Sequence, residues 1–246
     1  MRITNIKPVK PYQQIPIQDW GEPLVPIPLE QFAVESPHPY KKLGAPYGSL
    51  SPYYLRQGVL DGLIEAQAEL KQQYPDWRIK IFDAYRPIAV QQFMVDYTFA
   101  EVVRARELDS KTISEAQREA IWEEVYQLWA VPSLDPATPP PHSTGAAIDI
   151  TLVDAEGQTL DLGSAIDELS ARSHPDYYGN STTKVEQNYH ARRQLLEQLM
   201  LKGGFRRHPG EWWHFSLGDQ MWAWQCNQQT STNSYTAYYG RVETEN

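Results

Sequence analysis

The sequence contains one cysteine, Cys226, among its 246 residues, so no disulfide can form within the chain. Its cysteine content therefore does not require an oxidising compartment. Apolar runs are short as well: none approaches the roughly 18 residues of a membrane-spanning helix, and the N-terminus lacks the apolar stretch of a secretory signal. We expect a soluble, cytoplasmic protein without a membrane partner.

Positive charge is also scarce. The chain has 22 Lys and Arg residues against 31 Asp and Glu residues, which gives a formal net charge of −9. No basic run occurs along it. Because nucleic-acid binding depends on Lys and Arg side chains that neutralise phosphates, we expect no nucleic-acid partner. The composition leaves the oligomeric state open.

The first fifty residues differ in character from the rest of the chain. They are rich in proline and tyrosine and show no sustained hydrophobic period. We interpret residues 1–50 as an N-terminal extended arm, packed on a domain that comprises residues 51–246. A chain of 246 residues with 41% hydrophobic and 22% charged residues has the composition of an ordinary soluble globular protein.

Helix and strand patterns alternate irregularly beyond residue 50. Helices are predicted for residues 51–74, where Ser51-Pro52 resembles a cap, and for residues 87–108, 113–130 and about 187–202. Strands are predicted in WRIKIFDAYRP, in GAAIDITLVDAEG and twice in FRRHPGEWWHFSL, whereas residues 160–187 resemble an irregular loop. Without a regular βαβ order, the pattern indicates one α+β domain with a small, mainly antiparallel sheet flanked by helices.

The segment HSTGAAIDI places His142 seven residues before Asp149, with Gly145 between them. Glycine permits a tight turn, and Asp149 then lies within an apolar strand. A carboxylate in such surroundings is costly to bury unless it is paired or bound to a metal. Alternatively, Asp149 caps a turn and His142 is an ordinary loop residue.

The segment GEWWH adds Glu211 and His214. Zinc binds imidazole and carboxylate ligands, and a catalytic zinc keeps one position open for water. His142, Asp149 and His214 would supply three ligands and leave Glu211 as the general base. Alternatively, Glu211 is a fourth ligand of a closed, structural site, and the spacing does not decide between the two. We expect the two intervening tryptophans to pack in the core and along the cleft.

Arg86 in DAYRP lies where a predicted strand meets the start of a helix. A guanidinium group there could stabilise an oxyanion or bind a carboxylate. The alternative is a salt bridge with Asp83 or another acid. The other histidines are expected in loops or on the surface, with a slightly stronger case for the one that precedes Glu211; they are His38, His174, His190 and His208.

In this order, DAYRP, HSTGAAIDITL and GEWWHFSL resemble the VanX-type D-alanyl-D-alanine dipeptidases, a branch of the zinc DD-peptidase fold. That family's pattern is Ser-x-His-x-x-Gly-x-Ala-x-Asp, followed by Glu-x-x-His. The matching positions are His142, Gly145, Ala147, Asp149, Glu211 and His214. The resemblance runs from about residue 50 to residue 217, with a looser similarity around YKKLGAPYG.

The resemblance implies a metallopeptidase that hydrolyses D-alanyl-D-alanine to free D-alanine. It implies one Zn²⁺ per chain, held by His142, Asp149 and His214. It also implies that Glu211 is the general base and Arg86 the residue that stabilises the transition state. The alternative functions are a zinc DD-carboxypeptidase that acts on longer peptidoglycan peptides and a zinc-binding module without catalysis.

Two further residues bear on the substrate. The loop LDLGSAIDELSARSH resembles the family's loop between the two motifs, and this implies that Asp167 receives the free amine of a D,D-dipeptide. Pro140 stands where the family has serine. Because proline has no side-chain hydroxyl, a contact to the amino end of the substrate is lost or supplied by another residue. The resemblance therefore implies peptide hydrolysis more firmly than it implies a preference for dipeptides.

Overall fold

A five-stranded sheet runs through the part of the chain that the computed structural model describes, residues 10–230 and 234–242. Its strands are, in spatial order, β2 (Ala33–Val34), β4 (Arg78–Asp83), β5 (Ala147–Val153), β7 (His214–Ser216) and β6 (Arg206–Arg207). Only the β2–β4 pair is parallel; the other three pairs are antiparallel. Two more strands, β1 (Leu24–Pro26) and β3 (Tyr54–Arg56), form a separate antiparallel pair.

Helices flank this sheet, and with it they confirm the predicted α+β class and the mainly antiparallel sheet. The described helices are α1 (Pro39–Lys42), α2 (Gln57–Gln73), α3 (Ile88–Ala105), α4 (Glu115–Leu128), α5 (Lys184–Lys202) and α6 (Gln220–Gln229). Within the described ranges, no helix has the length and hydropathy needed to cross a membrane. The division of the chain at residue 50 stays a prediction, although β2 of the arm pairs with β4.

Strand β5 occupies the centre of the sheet, and all seven of its residues are buried. A strand covered on both faces shows a continuous apolar run instead of an alternating one, which is the pattern of AIDITLV. Its register places Asp149 opposite His214 on β7 and opposite Asp83 on β4. The central strand therefore brings three polar residues from separate parts of the sequence to one end of the sheet.

Three helix boundaries differ from the prediction by three residues or more, one of them the end of α3 at Ala105 in place of residue 108. The first of the predicted helices, α2, begins at Gln57 and not at Ser51, because Tyr54–Arg56 pairs with the distant strand β1. The Ser-Pro pattern satisfies the local rules for a helix start, and only the tertiary pairing overrides it. The late helix begins at Lys184, with Thr183 as its N-cap, a few residues before the predicted start.

Helix α2 and the C-terminal end of α5 approach each other closely at two glycines, Gly62 within α2 and Gly203 directly after α5. A Cβ atom added to Gly62 would lie 2.4 Å from the carbonyl oxygen of Gly203, and one added to Gly203 would lie 2.2 Å from the carbonyl oxygen of Gly62. Both distances are far below van der Waals contact. The two backbones can pack at this separation only because neither residue has a side chain.

We expect the Gly62→Ala substitution to lower the free energy of unfolding by about 1–3 kcal/mol, because it forces two helix backbones apart in a closely packed interior. Urea denaturation measures the change. The exposed Glu65→Ala on the same helix is the control and should stay within about 0.5 kcal/mol of the parent protein. Equal denaturation midpoints for the two variants would contradict the importance of this contact.

Candidate active site

Three side chains converge at the end of the central strands. His142 lies in the short turn Pro141–Thr144, after which Gly145 adopts a left-handed conformation (φ 71°) that turns the chain into β5. The Nε2 atom of His142 lies 3.2 Å from Oδ2 of Asp149 and 3.1 Å from Nδ1 of His214. The same Nδ1 atom lies 3.0 Å from Oδ1 of Asp149. The three residues are all buried.

Hydrogen bonds behind the two imidazoles determine which nitrogen faces this centre as an acceptor. Nδ1 of His142 lies 2.7 Å from the carbonyl oxygen of Ala84, which can only accept, so this nitrogen carries the proton. Ser216 donates its hydroxyl to Asp219 at 2.8 Å and can therefore accept the Nε2 proton of His214 at 3.4 Å. Both remaining nitrogens then direct lone pairs at the centre.

The converging atoms fit a metal ion. Two imidazole lone pairs and a carboxylate oxygen repel one another unless a cation lies between them. Ligands of a tetrahedral zinc lie ~3.3 Å apart, given bonds of roughly 2.0–2.1 Å, which is close to the 3.1 Å between the two histidine nitrogens. Each nitrogen also lies within 3.0 to 3.2 Å of one Asp149 oxygen, Oδ2 for His142 and Oδ1 for His214. Within the described ranges, His142, Asp149 and His214 form a group able to hold such an ion.

The electrostatics of Asp149 are consistent with such a centre. Burial alone would raise its pKa, but His142 and His214 hold the pKa well below its usual range through charge and hydrogen bonds. The carboxylate therefore stays ionised in the interior. The alternative that Asp149 merely caps a turn does not agree with its place in the middle of β5, between the two histidines.

Glu211 lies beside the three converging residues. Its Oε2 atom is 3.9 Å from Nδ1 of His214, and its Oε1 atom is 3.7 Å from Nδ1 of His208. Burial raises the pKa of Glu211 to about 8, and the charge of His214 opposes this rise. Nδ1 of His208 accepts a hydrogen bond from the Gly210 amide at 3.2 Å, and burial lowers the pKa of His208 well below its usual value.

Arg86 is buried at the opposite edge of the centre and is fixed on several sides. Its guanidinium donates to Asp83 at 2.9 Å and to Gln91 at 2.9 Å, and it reaches Oδ2 of Asp149 at 3.3 Å. The rings of Tyr40 and Trp129 lie 5.0 and 4.9 Å from its central carbon. The salt bridge with Asp83 that the sequence offered as an alternative is thus present, together with a direct contact to Asp149.

Asp167 completes the polar wall. It is one of two residues other than glycine with a positive φ in the described ranges (63°), a conformation that costs free energy and is often found at functional sites. Its Oδ2 atom accepts a hydrogen bond of 2.6 Å from the hydroxyl of Tyr40, to which Arg86 also donates at 3.2 Å. Burial and the charge of Asp149 raise the pKa of Asp167 to about 7, which Arg86 opposes.

These side chains line one cavity. Its walls contain residues from the sheet end, from α3, from the end of α4, from α6 and from the N-terminal segment, namely Lys10, Tyr12, Arg86, Gln91, Leu128, Trp129, Ala130, Pro141, His142, Asp149, Asp167, His208, Glu211, His214 and Met221. All six residues singled out from the sequence are among them. Trp212 and Trp213 are buried in the main core, as expected, but neither is among the described residues that line this cavity.

Several residues of this region were not identified from the sequence. His38 was expected in a loop without a role, yet it is buried and donates from Nε2 to Asp83 at 3.0 Å. Tyr47 donates to the same carboxylate oxygen at 3.1 Å. Asp83 therefore joins the arm to Arg86. A buried carboxylate at the end of a predicted strand indicates that partners exist, but their identity is set by the tertiary fold.

Comparison with known proteins identifies the family of this chain. A Peptidase M15 family model, described as D-ala-D-ala dipeptidase, matches residues 34–234. A D-alanyl-D-alanine dipeptidase of Synechocystis sp. is 56% identical over 242 residues, which are 96% of this chain and 98% of that protein. A D-alanyl-D-alanine dipeptidase of Escherichia coli is 43% identical over 76 residues, 31% of this chain and 37% of that protein.

Among solved structures, the LdcB LD-carboxypeptidase is similar with a TM-score of 0.46 and 18% identity, covering 85% of this chain and 74% of that chain. At this level of similarity, nothing about the chemistry of the present chain follows from it.

We expect Asp83→Ala to lower the free energy of unfolding by about 3–5 kcal/mol, because it removes the main partner of the buried Arg86 cation. Urea denaturation measures the loss. The control is Glu35→Ala, which removes the partly exposed ion pair with Lys80 and should cost less than about 1 kcal/mol. Similar losses for both variants would show that Asp83 is not needed to compensate the charge of Arg86.

Proposed function

This chain belongs to the Peptidase M15 family of D-Ala-D-Ala dipeptidases, and on that premise we propose that it hydrolyses D-alanyl-D-alanine to two molecules of D-alanine with one zinc ion. The observation that carries the proposal is the buried group His142, Asp149 and His214. Its two imidazole nitrogens lie 3.1 Å apart, and each lies 3.0 to 3.2 Å from one oxygen of the Asp149 carboxylate. The names of the similar proteins supply the substrate class.

In this proposal His142, Asp149 and His214 hold the zinc. When bound, zinc supplies Lewis acidity: it polarises a carbonyl group and lowers the pKa of water to about 7. The carbonyl of Ala84 and the Ser216–Asp219 pair keep the two imidazoles in the tautomers that ligation requires.

Glu211 acts as the general base rather than as a fourth ligand. It takes a proton from the attacking water and later gives a proton to the departing amine. The group of residues close enough to hold an ion comprises the two histidines and Asp149 without Glu211. The Glu211 carboxylate lies next to that group, 3.9 Å from Nδ1 of His214, where it can reach a water molecule between them.

Arg86 stabilises the negative charge that develops on the carbonyl oxygen as the tetrahedral intermediate forms. A positioned cation in a buried site does this without reorganisation at the moment of reaction. Its contacts with Asp83 and Gln91 leave the guanidinium little freedom, and its contact with Asp149 places it at the edge of the metal group.

Asp167 receives the free ammonium group of the dipeptide. Tyr40 binds one of its carboxylate oxygens and so orients the other. This placement gives the cavity an acidic end beside Arg86. A peptide extended at its amino end has no ammonium group at this position, so the recognition favours dipeptides over longer chains.

The residues that line the cavity support this proposal over a carboxypeptidase that acts on long peptidoglycan peptides. Trp129 and Ala130, at the end of the insertion between Arg86 and His142, form one wall, and Tyr12 and Met221 form part of another. The sequence offered this insertion as a barrier to long substrates. A zinc-binding module without catalysis, in contrast, would have no need for both Arg86 and Glu211.

Incubation with D-Ala-D-Ala and with a muramyl pentapeptide tests the substrate class. We expect release of D-alanine from the dipeptide with a kcat/KM about 10- to 100-fold higher than from the pentapeptide, because Asp167 would lose an ion-paired hydrogen bond to the substrate. Amino-acid analysis of the products provides the measurement. Rapid release of alanine from the pentapeptide alone would overturn the dipeptidase proposal in favour of the carboxypeptidase.

The role of Glu211 is tested separately from metal binding. We expect Glu211→Gln to keep one zinc per chain but to lower kcat by about 10²–10⁴-fold, since the amide cannot accept a proton. His214→Ala should instead lose the metal. Metal content and initial rates measure both effects, with the exposed Glu65→Gln as control. A Glu211→Gln protein that no longer binds zinc would identify Glu211 as a fourth ligand.

A further inference from the structure

The N-terminal segment contributes a cation to the cavity. Lys10 and Tyr12 line the same space as Glu211 and His208. We propose that the Lys10 ammonium group binds the C-terminal carboxylate of the dipeptide, so that this segment forms part of the substrate site. The inference rests on the proposed dipeptidase function and extends it to the other end of the substrate.

The segment is held in place by specific contacts. Residues Pro11–Gln14 form a short 3₁₀ turn against α6, and the Tyr12 side chain within it is buried. The Gln220 side chain, at the start of α6, donates to the carbonyl oxygens of Gln13 at 3.2 Å and Ile15 at 2.7 Å. Gln13 in turn accepts a hydrogen bond from the Lys10 amide at 2.9 Å. Lys10 therefore has a defined position.

The ammonium group of Lys10 has donors to spare. It makes one long hydrogen bond, 3.4 Å, to the carbonyl oxygen of Tyr126, and no ion pair with Lys10 occurs among residues 10–230 and 234–242. An ammonium group has three donors. Burial lowers the pKa of Lys10, and the charge of Glu211 opposes this shift. The other cationic side chain that lines the cavity, Arg86, is already bound by Asp83, Gln91 and Tyr40.

Reaction chemistry places the substrate carboxylate on the Lys10 side. Glu211 gives its proton to the departing amine. In that amino acid the carboxyl carbon is attached to the same Cα atom, about 2.5 Å from the nitrogen by standard bond lengths and angles. The carboxylate must therefore lie near Glu211, which lines the cavity together with Lys10. Asp167 instead contacts Tyr40, which also accepts a hydrogen bond from Arg86.

The two ends of the cavity would then recognise the two charges of a free dipeptide. Asp167 selects the ammonium group and Lys10 selects the carboxylate.

The test compares D-Ala-D-Ala with D-alanyl-D-alaninamide, which keeps the amine and the scissile bond but lacks the negative charge. In the zinc-loaded parent protein we expect the acid to be favoured over the amide by about 10- to 100-fold in kcat/KM, mainly through KM. Lys10→Met should remove this preference by weakening the acid alone. Lys10→Arg should restore it, and the exposed Lys71→Met is the control.

The outcomes separate this proposal from the one on which it rests. Suppose that the parent protein hydrolyses D-Ala-D-Ala. If Lys10→Met then lowers kcat/KM equally for the acid and the amide, or for neither, the role of Lys10 is overturned and the dipeptidase proposal stands. Equal kcat/KM values for the acid and the amide in the parent protein would also overturn the role of Lys10. If the amide is not cleaved, its inhibition constant against D-Ala-D-Ala replaces its KM. A parent protein inactive on D-Ala-D-Ala would overturn both proposals.

Discussion

The cost of burying the Asp149 carboxylate is the constraint on which the rest of the structure depends. An ionised group at the centre of a sheet is tolerated only with partners on several sides. Here β7 supplies His214, the turn before β5 supplies His142, and the segment after β4 supplies Arg86. The strand register, the left-handed glycine before β5 and the aromatic rings around Arg86 all hold these partners in place.

The sequence predicted the parts of the site that are local. His142 and Asp149 are separated by one turn and half a strand, and Glu211 and His214 by one turn, so their spacing carries information about their geometry. The central strand and the helix after Pro87 were predicted for the same reason. The roles of the metal ligands, the base and the arginine stay predictions.

The features of the site and fold that the sequence did not predict all depend on contacts between segments that are distant in the chain. His38 resembled a loop residue because nothing within its own segment reveals Asp83, forty-five positions away. Helix α6 and Lys10 escaped notice for the same reason, since their roles arise only where the two ends of the described chain meet. The helix start at Ser51-Pro52 was wrong because strand pairing with β1 outweighs a favourable local cap.

The contact between Gln220 and the N-terminal turn also bears on the order in which the protein is made. Synthesis on the ribosome proceeds from the N-terminus, so residues 10–15 emerge first but have no docking surface until α6 has been translated. The docked segment and the helix that holds it are 205 to 207 positions apart in sequence, so this wall of the cavity forms only after nearly the whole described chain has been made.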